Sequence, residues 1–210
     1  MTGSLKTTLT KYFGDNLLLY YIIPVIFIIG IIFGILGAGE LNDQQIKELG
    51  DFIDVFINSL PTSNVDAQME TKHALITNIR VMLYTWFLGL TVIGIPLTLF
   101  ITFARGFVLG FTIGFLIGEK STQGILLVLL TVLPQNIILI PVILAAAMLS
   151  ISFSLFIIRG KFMGKTLNLS KRFCGYTITF MILGFFVALA AFIQGYLSPL
   201  LIKTTFSFIQ

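Results

Sequence analysis

Ser121–Ile158 reads STQGILLVLLTVLPQNIILIPVILAAAMLSISFSLFII, 38 residues without an Asp, Glu, Lys or Arg. Such a run has no water to satisfy its backbone, so inside a bilayer it has to be helical. As one straight helix it would rise about 57 Å, nearly twice a hydrocarbon core of about 30 Å. The stretch therefore has to break. Pro134 and Pro141 mark the place, because proline removes a backbone donor and clashes with the preceding turn. The expected form is a half-helix from about Gly124 to Leu133, an irregular Pro134-Gln135-Asn136 corner, and a helix to Ile158.

Four further charge-free blocks surround it: Asn16–Gly39 (24 residues), Val81–Ala104 (24), Gly106–Gly118 (13) and Phe173–Ile202 (30). With 210 residues, 57% of them hydrophobic, the chain is consumed by membrane spans and short connections, which leaves no room for a soluble catalytic domain. The formal charge of +4 is not a basic patch for nucleic acid; it separates by loop. Glu40 to Ile79 carries seven acids against Lys47 and Lys72, whereas Arg159 to Arg172 carries five basic residues and no acid. Positive loops stay cytoplasmic. Arg105 then marks the cytoplasmic return of the second block, and an even number of crossings has to fit between Arg105 and Arg159.

The expectation is an all-α polytopic membrane bundle forming a single domain over 1–210. Its spans fall at about 17–37, 80–103, 106–120, 123–158 and 173–202, with an outer loop at about 40–79, the N-terminus inside and the C-terminus outside. Six spans, or a re-entrant piece, is the alternative. The third block rises only about 20 Å, so it either extends through Glu119 and Lys120, whose side chains snorkel, or is a short helix ending there. Pro24 and Pro96 are expected to kink spans one and two. The first block is too long for the apolar core of a signal peptide and reads as a retained anchor, with cleavage near Gly37, Ala38 and Gly39 as the alternative.

Gly106, Gly110, Gly114 and Gly118 recur every four residues and form a nearly bare stripe, and Gly30 and Gly34 repeat the spacing. Bare stripes let backbones approach in lipid, either between helices of one chain or across a homodimer seam. The carboxamides of Gln135 and Asn136 are expensive in an apolar medium unless paired, so they face the bundle interior, a cavity or the backbone groups freed by the break. In the outer loop Ile46, Leu49, Ile53, Phe56 and Leu60 follow helical spacing, opposite Lys47, Asp51, Asp54 and Asn58. Asn42 or Asp43 can cap this helix and Pro61 closes it. Its apolar stripe docks on the bundle or meets an extracytoplasmic partner, and Asp51, Asp54 and Phe56 are the candidate partner surface.

Catalytic sets are missing from the pattern. One His (His73) and one Cys (Cys174) on opposite sides build neither a metal site nor a nucleophile–base pair. There is no HExxH and no Gly-rich phosphate loop, so no enzyme activity, metal or cofactor is expected. No block contains an ionisable group of the kind a proton-coupled carrier needs. Cys174 reads as an apolar filler and Trp86 as an interfacial anchor near the outer end of span two.

The order of these pieces resembles the stage II sporulation protein M family. The matching features are the acidic outer loop after span one, the Ala104-Arg105-Gly106 turn into a glycine-rich span, and Leu133-Pro134-Gln135-Asn136 followed by Ile140-Pro141. The Ser150-Ile151-Ser152-Phe153-Ser154 run into a basic segment also fits, and the resemblance covers about Lys11 to Ile202. Wider relatives carry Asn-Gly where this chain has Arg105-Gly106, and Pro-His-Gly where it has Pro134-Gln135-Asn136, so no role of that histidine transfers. The resemblance implies a non-enzymatic scaffold of forespore engulfment. It would hold two wall hydrolases, a lytic transglycosylase and an amidase/endopeptidase, at the septal membrane. The expected partners are membrane lipid and those hydrolases, with a homo-oligomer through the glycine stripe as an option and no nucleic acid. The alternative, from another class, is a permease or transporter subunit with a pathway past Gln135 and Asn136.

Overall fold

The computed structural model describes residues 17–59, 67–163 and 169–197. The basic N-terminus, Pro61, the Lys165 segment and the chain beyond Leu197 lie outside the described residues, and so do the readings that rest on them. Within the described residues the chain is all-helical: α1 Leu17–Gly39, α2 Asp43–Ser59, α3 Ala67–Gly89, α4 Gly94–Leu127, a π-helical turn Val128–Val132, α5 Leu133–Met163, α6 Leu169–Phe192 and a second π turn Ile193–Leu197. Among the described residues three stretches are long and apolar enough to cross a membrane: Leu19–Gly39, Gly94–Ile158 and Leu169–Tyr196.

The 65 residues of Gly94–Ile158 are not one rod. At Ser121 the backbone takes φ 46° and ψ −117°, and the chain doubles back there. Leu116 consequently packs with Leu127, Val128 and Val132, with Leu109 and Ile113 against the same cluster. The principal break in this stretch is therefore at Ser121, ahead of the proline pair.

Two expected boundaries are corrected. The chain does not turn at Ala104-Arg105-Gly106; those residues lie within α4. It turns at Leu90–Ile93 instead, inside the expected span 80–103, where α3 ends and α4 begins. Pro96 explains the position: it sits in the first turn of α4, where a missing N–H costs nothing, so it starts a helix and does not kink one. Every carbonyl of the last turn of α3 finds a donor. Phe87 O accepts from Leu90 N–H (3.1 Å) and Leu88 O from Thr91 N–H (3.0 Å). Trp86 O accepts from the Tyr176 hydroxyl (2.7 Å), and Gly89 O from that of Ser154 (2.9 Å). Ser154 and Tyr176 thus bring donors from α5 and α6 to the carbonyls that end α3.

The irregular corner at Pro134-Gln135-Asn136 is also corrected, because these residues remain helical at the start of α5. Lacking an N–H, Pro134 cannot continue the α ladder, and the preceding turn widens to π, with Leu133 N–H reaching Val128 O. Pro24 and Pro141 lie inside α1 and α5.

Contact pairs give the directions. Gly106, Gly110 and Gly114 of α4 face Phe27, Ile31 and Ile35 of α1, so these helices run parallel. Ile23 of α1 clusters with Ala147 and Ile151 of α5, and Thr98 of α4 reaches Ser150 (3.2 Å), so α5 opposes both. Tyr176 stacks on Phe153 at 4.4 Å between ring centroids, which places the start of α6 beside the end of α5. The end of the bundle holding Gly89, Gly94, Ser154 and Tyr176 is called the base here. Its main core joins Met82, Leu139, Val142, Phe153, Phe180 and Val187 from α3, α5 and α6.

Candidate functional site

In α4, Gly94, Thr98, Thr102, Gly106 and Gly110 are buried, one small residue every four. This stripe lies along α1 and the base of α5. A Cβ on Gly106 would collide with Phe27 O, and one on Gly110 with Ile31 O. From the other side, a Cβ on Gly30 would collide with Phe103 O and one on Gly34 with Phe107 O. A Cβ on Gly114 would be a little looser, 3.1 Å from Ile35 Cα, and one on Gly118 would meet nothing within 4 Å. Four of the named glycines are thus occupied within one chain. On the adjoining face Phe103, Phe107, Phe111 and Phe115 form a ladder with centroids 6.2–6.4 Å apart.

Tight seating of α1 on α4 fixes what the rest of α4 presents. Arg105 lies one residue before Gly106, near the middle of a helix that is apolar on both sides. At the centre of a membrane span an arginine costs about 2.5–3.5 kcal/mol on insertion scales and sits almost always on an interior or water-filled face. Arg105 lines a cavity of about 300 Å³, at the lower end of the usual range for ligand pockets. The polar part of the wall comes from His73, Thr77 and Asn78 of α3, Thr112 of α4, Gln135 and Asn136 of α5, and Gln194 of the last π turn. Phe27, Val108, Leu109, Leu139 and Ile143 supply apolar wall. No Asp or Glu is among these lining residues.

The amides differ in how they are satisfied. Asn136 Nδ2 donates to Val132 O (2.7 Å), a carbonyl of the π turn, so the widened turn positions it. Gln135 Oε1 is buried with no hydrogen-bond partner. Asn78 is only 9% exposed, whereas His73 and Thr77 are exposed and mark the open side. Below Asn78 a smaller cavity of about 20 Å³ continues toward Thr85, between Met82, Val142 and Val187. Among the described residues no three of His, Cys, Asp and Glu are placed to hold a metal.

The remaining sequence candidates lie elsewhere. Asn42 and Gln45 cap α2 reciprocally: Asn42 Oδ1 accepts from Gln45 N–H (2.9 Å) and Gln45 Oε1 from Asn42 N–H (3.1 Å). Ile53 packs on the Leu116 cluster, and Gly50 lies beside the Glu119 carboxylate, so α2 docks over the Ser121 turn. Asp51 is exposed; the side chains of Asp54 and Phe56 lie outside the described residues. Phe52 and Val55, 72% and 69% exposed, are apolar groups on the outward side that the helical stripe had left out. Trp86 is in the last turn of α3, stacked on Tyr176, and Cys174 is exposed near the start of α6. Sequence reading missed Arg105, Asn78 and Gln194. The available signal for Arg105 was that small residues at Thr98, Thr102, Gly106 and Gly110 keep their period through it, as one helix would.

The family model described as Stage II sporulation protein M matches residues 23–199. No curated protein and no solved structure matches the chain.

Proposed function

Because the chain belongs to the stage II sporulation protein M family, and so is a sporulation-related membrane protein, we propose that it is the non-enzymatic scaffold of forespore engulfment. In this reading it anchors a lytic transglycosylase and an amidase/endopeptidase at the septal and engulfing membrane. The observation that carries it is α2, a capped amphipathic helix seated at the end of the bundle opposite the base, with Phe52, Val55 and Asp51 turned outward. Apolar groups beside a charge make a surface that holds a partner through burial and steers it electrostatically.

The same reading has five crossings. Helices α1, α4 and α6 run one way and α3 and α5 the other, with the Ser121 reversal dividing Gly94–Ile158 between two of them. Charge sorting supports the orientation. The acidic α2 segment lies at one end, while exposed Lys171 and Arg172 lie near the base, which is the cytoplasmic side in this reading. With Gly30, Gly34, Gly106 and Gly110 packed inside one chain, a homo-oligomer has to use another surface.

The test is septal localisation of both hydrolases in sporulating cells carrying Asp51→Lys with Asp54→Lys, and separately Phe52→Glu. The expected result is normal protein level with reduced recruitment. Full recruitment by both variants at normal level removes α2 from the scaffold. A transporter subunit is the second reading, supported by the cavity that Gln135 and Asn136 line. A partner ATPase bound to the Arg159–Arg172 segment would favour it.

A further inference from the structure

We propose that the Arg105 cavity is a binding site for an oxyanion, a phosphate or carboxylate, carried on a ligand with a hydroxyl or amide N–H donor beside it. The site stands whichever of the two functions above holds.

The argument starts from charge. Arg105 keeps its guanidinium positive under all ordinary conditions, and its five donors in a rigid fork match carboxylate and phosphate geometry. It sits mid-helix in α4, and its wall of the cavity carries no Asp or Glu to neutralise it. Four amides line the same cavity, Asn78, Gln135, Asn136 and Gln194, brought in from three elements besides α4. Carboxamides cannot cancel a charge, but their NH₂ groups can share an oxyanion with the guanidinium, and their oxygens can accept from a ligand donor. His73 stands at the open side and adds a further polar group without negative charge.

Gln135 narrows the ligand. Its Oε1 is buried and unpartnered, at a position where the amide lines the same cavity as Arg105. A buried acceptor left empty is costly, and rotation of the amide toward the cavity it lines lets a ligand donor next to the oxyanion fill it. A glycerol phosphate group has this combination, with two hydroxyls within a few bonds of a phosphate. The group can reach the cavity on a lipid headgroup or on a soluble molecule, and the chemistry at Arg105 is the same.

The experiment uses the full-length chain in nanodiscs. One arm titrates glycerol 3-phosphate into phosphatidylcholine discs; the other compares phosphatidylcholine discs with discs containing increasing phosphatidylglycerol. Thermal unfolding and native mass spectrometry read binding in both. The expected result is saturable stabilisation in at least one arm. Arg105→Gln weakens it about tenfold, the usual effect of losing a charge-assisted hydrogen bond. Gln135→Leu weakens it by a smaller factor. Arg80→Gln, an exposed arginine on α3 that does not line the cavity, leaves it unchanged. A response to glycerol 3-phosphate assigns a soluble ligand, and a response to phosphatidylglycerol alone assigns a lipid headgroup. If neither probe binds saturably, or if Arg105→Gln and Arg80→Gln behave alike, the proposal is overturned. Should Arg105→Gln fail to fold, Gln135→Leu and Gln194→Leu decide: unchanged affinity in both overturns it.

Discussion

Replacing Gly110 by alanine adds one methyl group, yet it should be among the most damaging small changes in this chain. The new Cβ would point at the backbone of α1, colliding with Ile31 O and standing 2.7 Å from both Ile31 C and Ile31 Cα. Ordinary contact begins at 3.4 Å, so α1 has to retreat by at least 0.7 Å at this point. The obstacle is helix backbone, which cannot rotate away as a side chain would. A local retreat also loosens Gly30, Gly34 and Gly106, which rest on the same interface, and dispersion falls steeply with a gap of that size. Overpacking of this kind costs about 1–3 kcal/mol, against which the better helix propensity of alanine returns at most about 1 kcal/mol. We therefore expect Gly110→Ala to lower unfolding free energy by about 1–2 kcal/mol and Gly110→Leu by more, measured by reversible denaturation in mixed micelles. Gly118→Ala is the matched control: it lies on the same helix but has open space around it, so only the propensity gain applies. If Gly110→Ala and Gly118→Ala shift stability alike, α1 does not seat on α4 as described.

Ser121 holds φ 46°, a conformation that glycine adopts without a Cβ clash, so Ser121→Gly should stabilise by about 1 kcal/mol and Ser121→Val should destabilise; equal effects would dismiss the reversal there. Ser154→Ala removes the single hydroxyl proton that the Gly89 and Thr91 carbonyls share and strands the buried Gly89 carbonyl, and Tyr176→Phe strands that of Trp86, each costing about 1–3 kcal/mol in the same denaturation assay. Reporters fused after Asp51 and after Lys203 should be extracytoplasmic, and those after Lys11 and Lys165 cytoplasmic, as accessibility to an impermeant thiol reagent would show. A cytoplasmic C-terminus would give an even number of crossings and end the five-span reading.

The helical, membrane-embedded character of the chain was legible in Ser121–Ile158 and its neighbouring blocks, because hydration of the backbone is a local matter that composition decides. The capped helix at Asn42 was legible for the same reason: its cap and its stripe lie within a few residues of each other. Span boundaries were not, since they were drawn at charges, on the premise that a charge marks a membrane surface. Arg105 breaks that premise. Asn78, Gln135, Asn136 and Gln194, distant in sequence, line one cavity with it, and nothing in the residues flanking Arg105 announces them. Moving Arg105 into the helix moved the turn to Leu90–Ile93, where Pro96 can start α4 and where Ser154 and Tyr176, far along the chain, supply the donors that end α3. The glycine period spoke of close packing but not of its partner; register against Phe27 and Ile31 of α1 chose between a seam inside the chain and a seam between chains. Local periodicity and hydration thus set the kind of element, and long-range packing set where each element ends and what it faces.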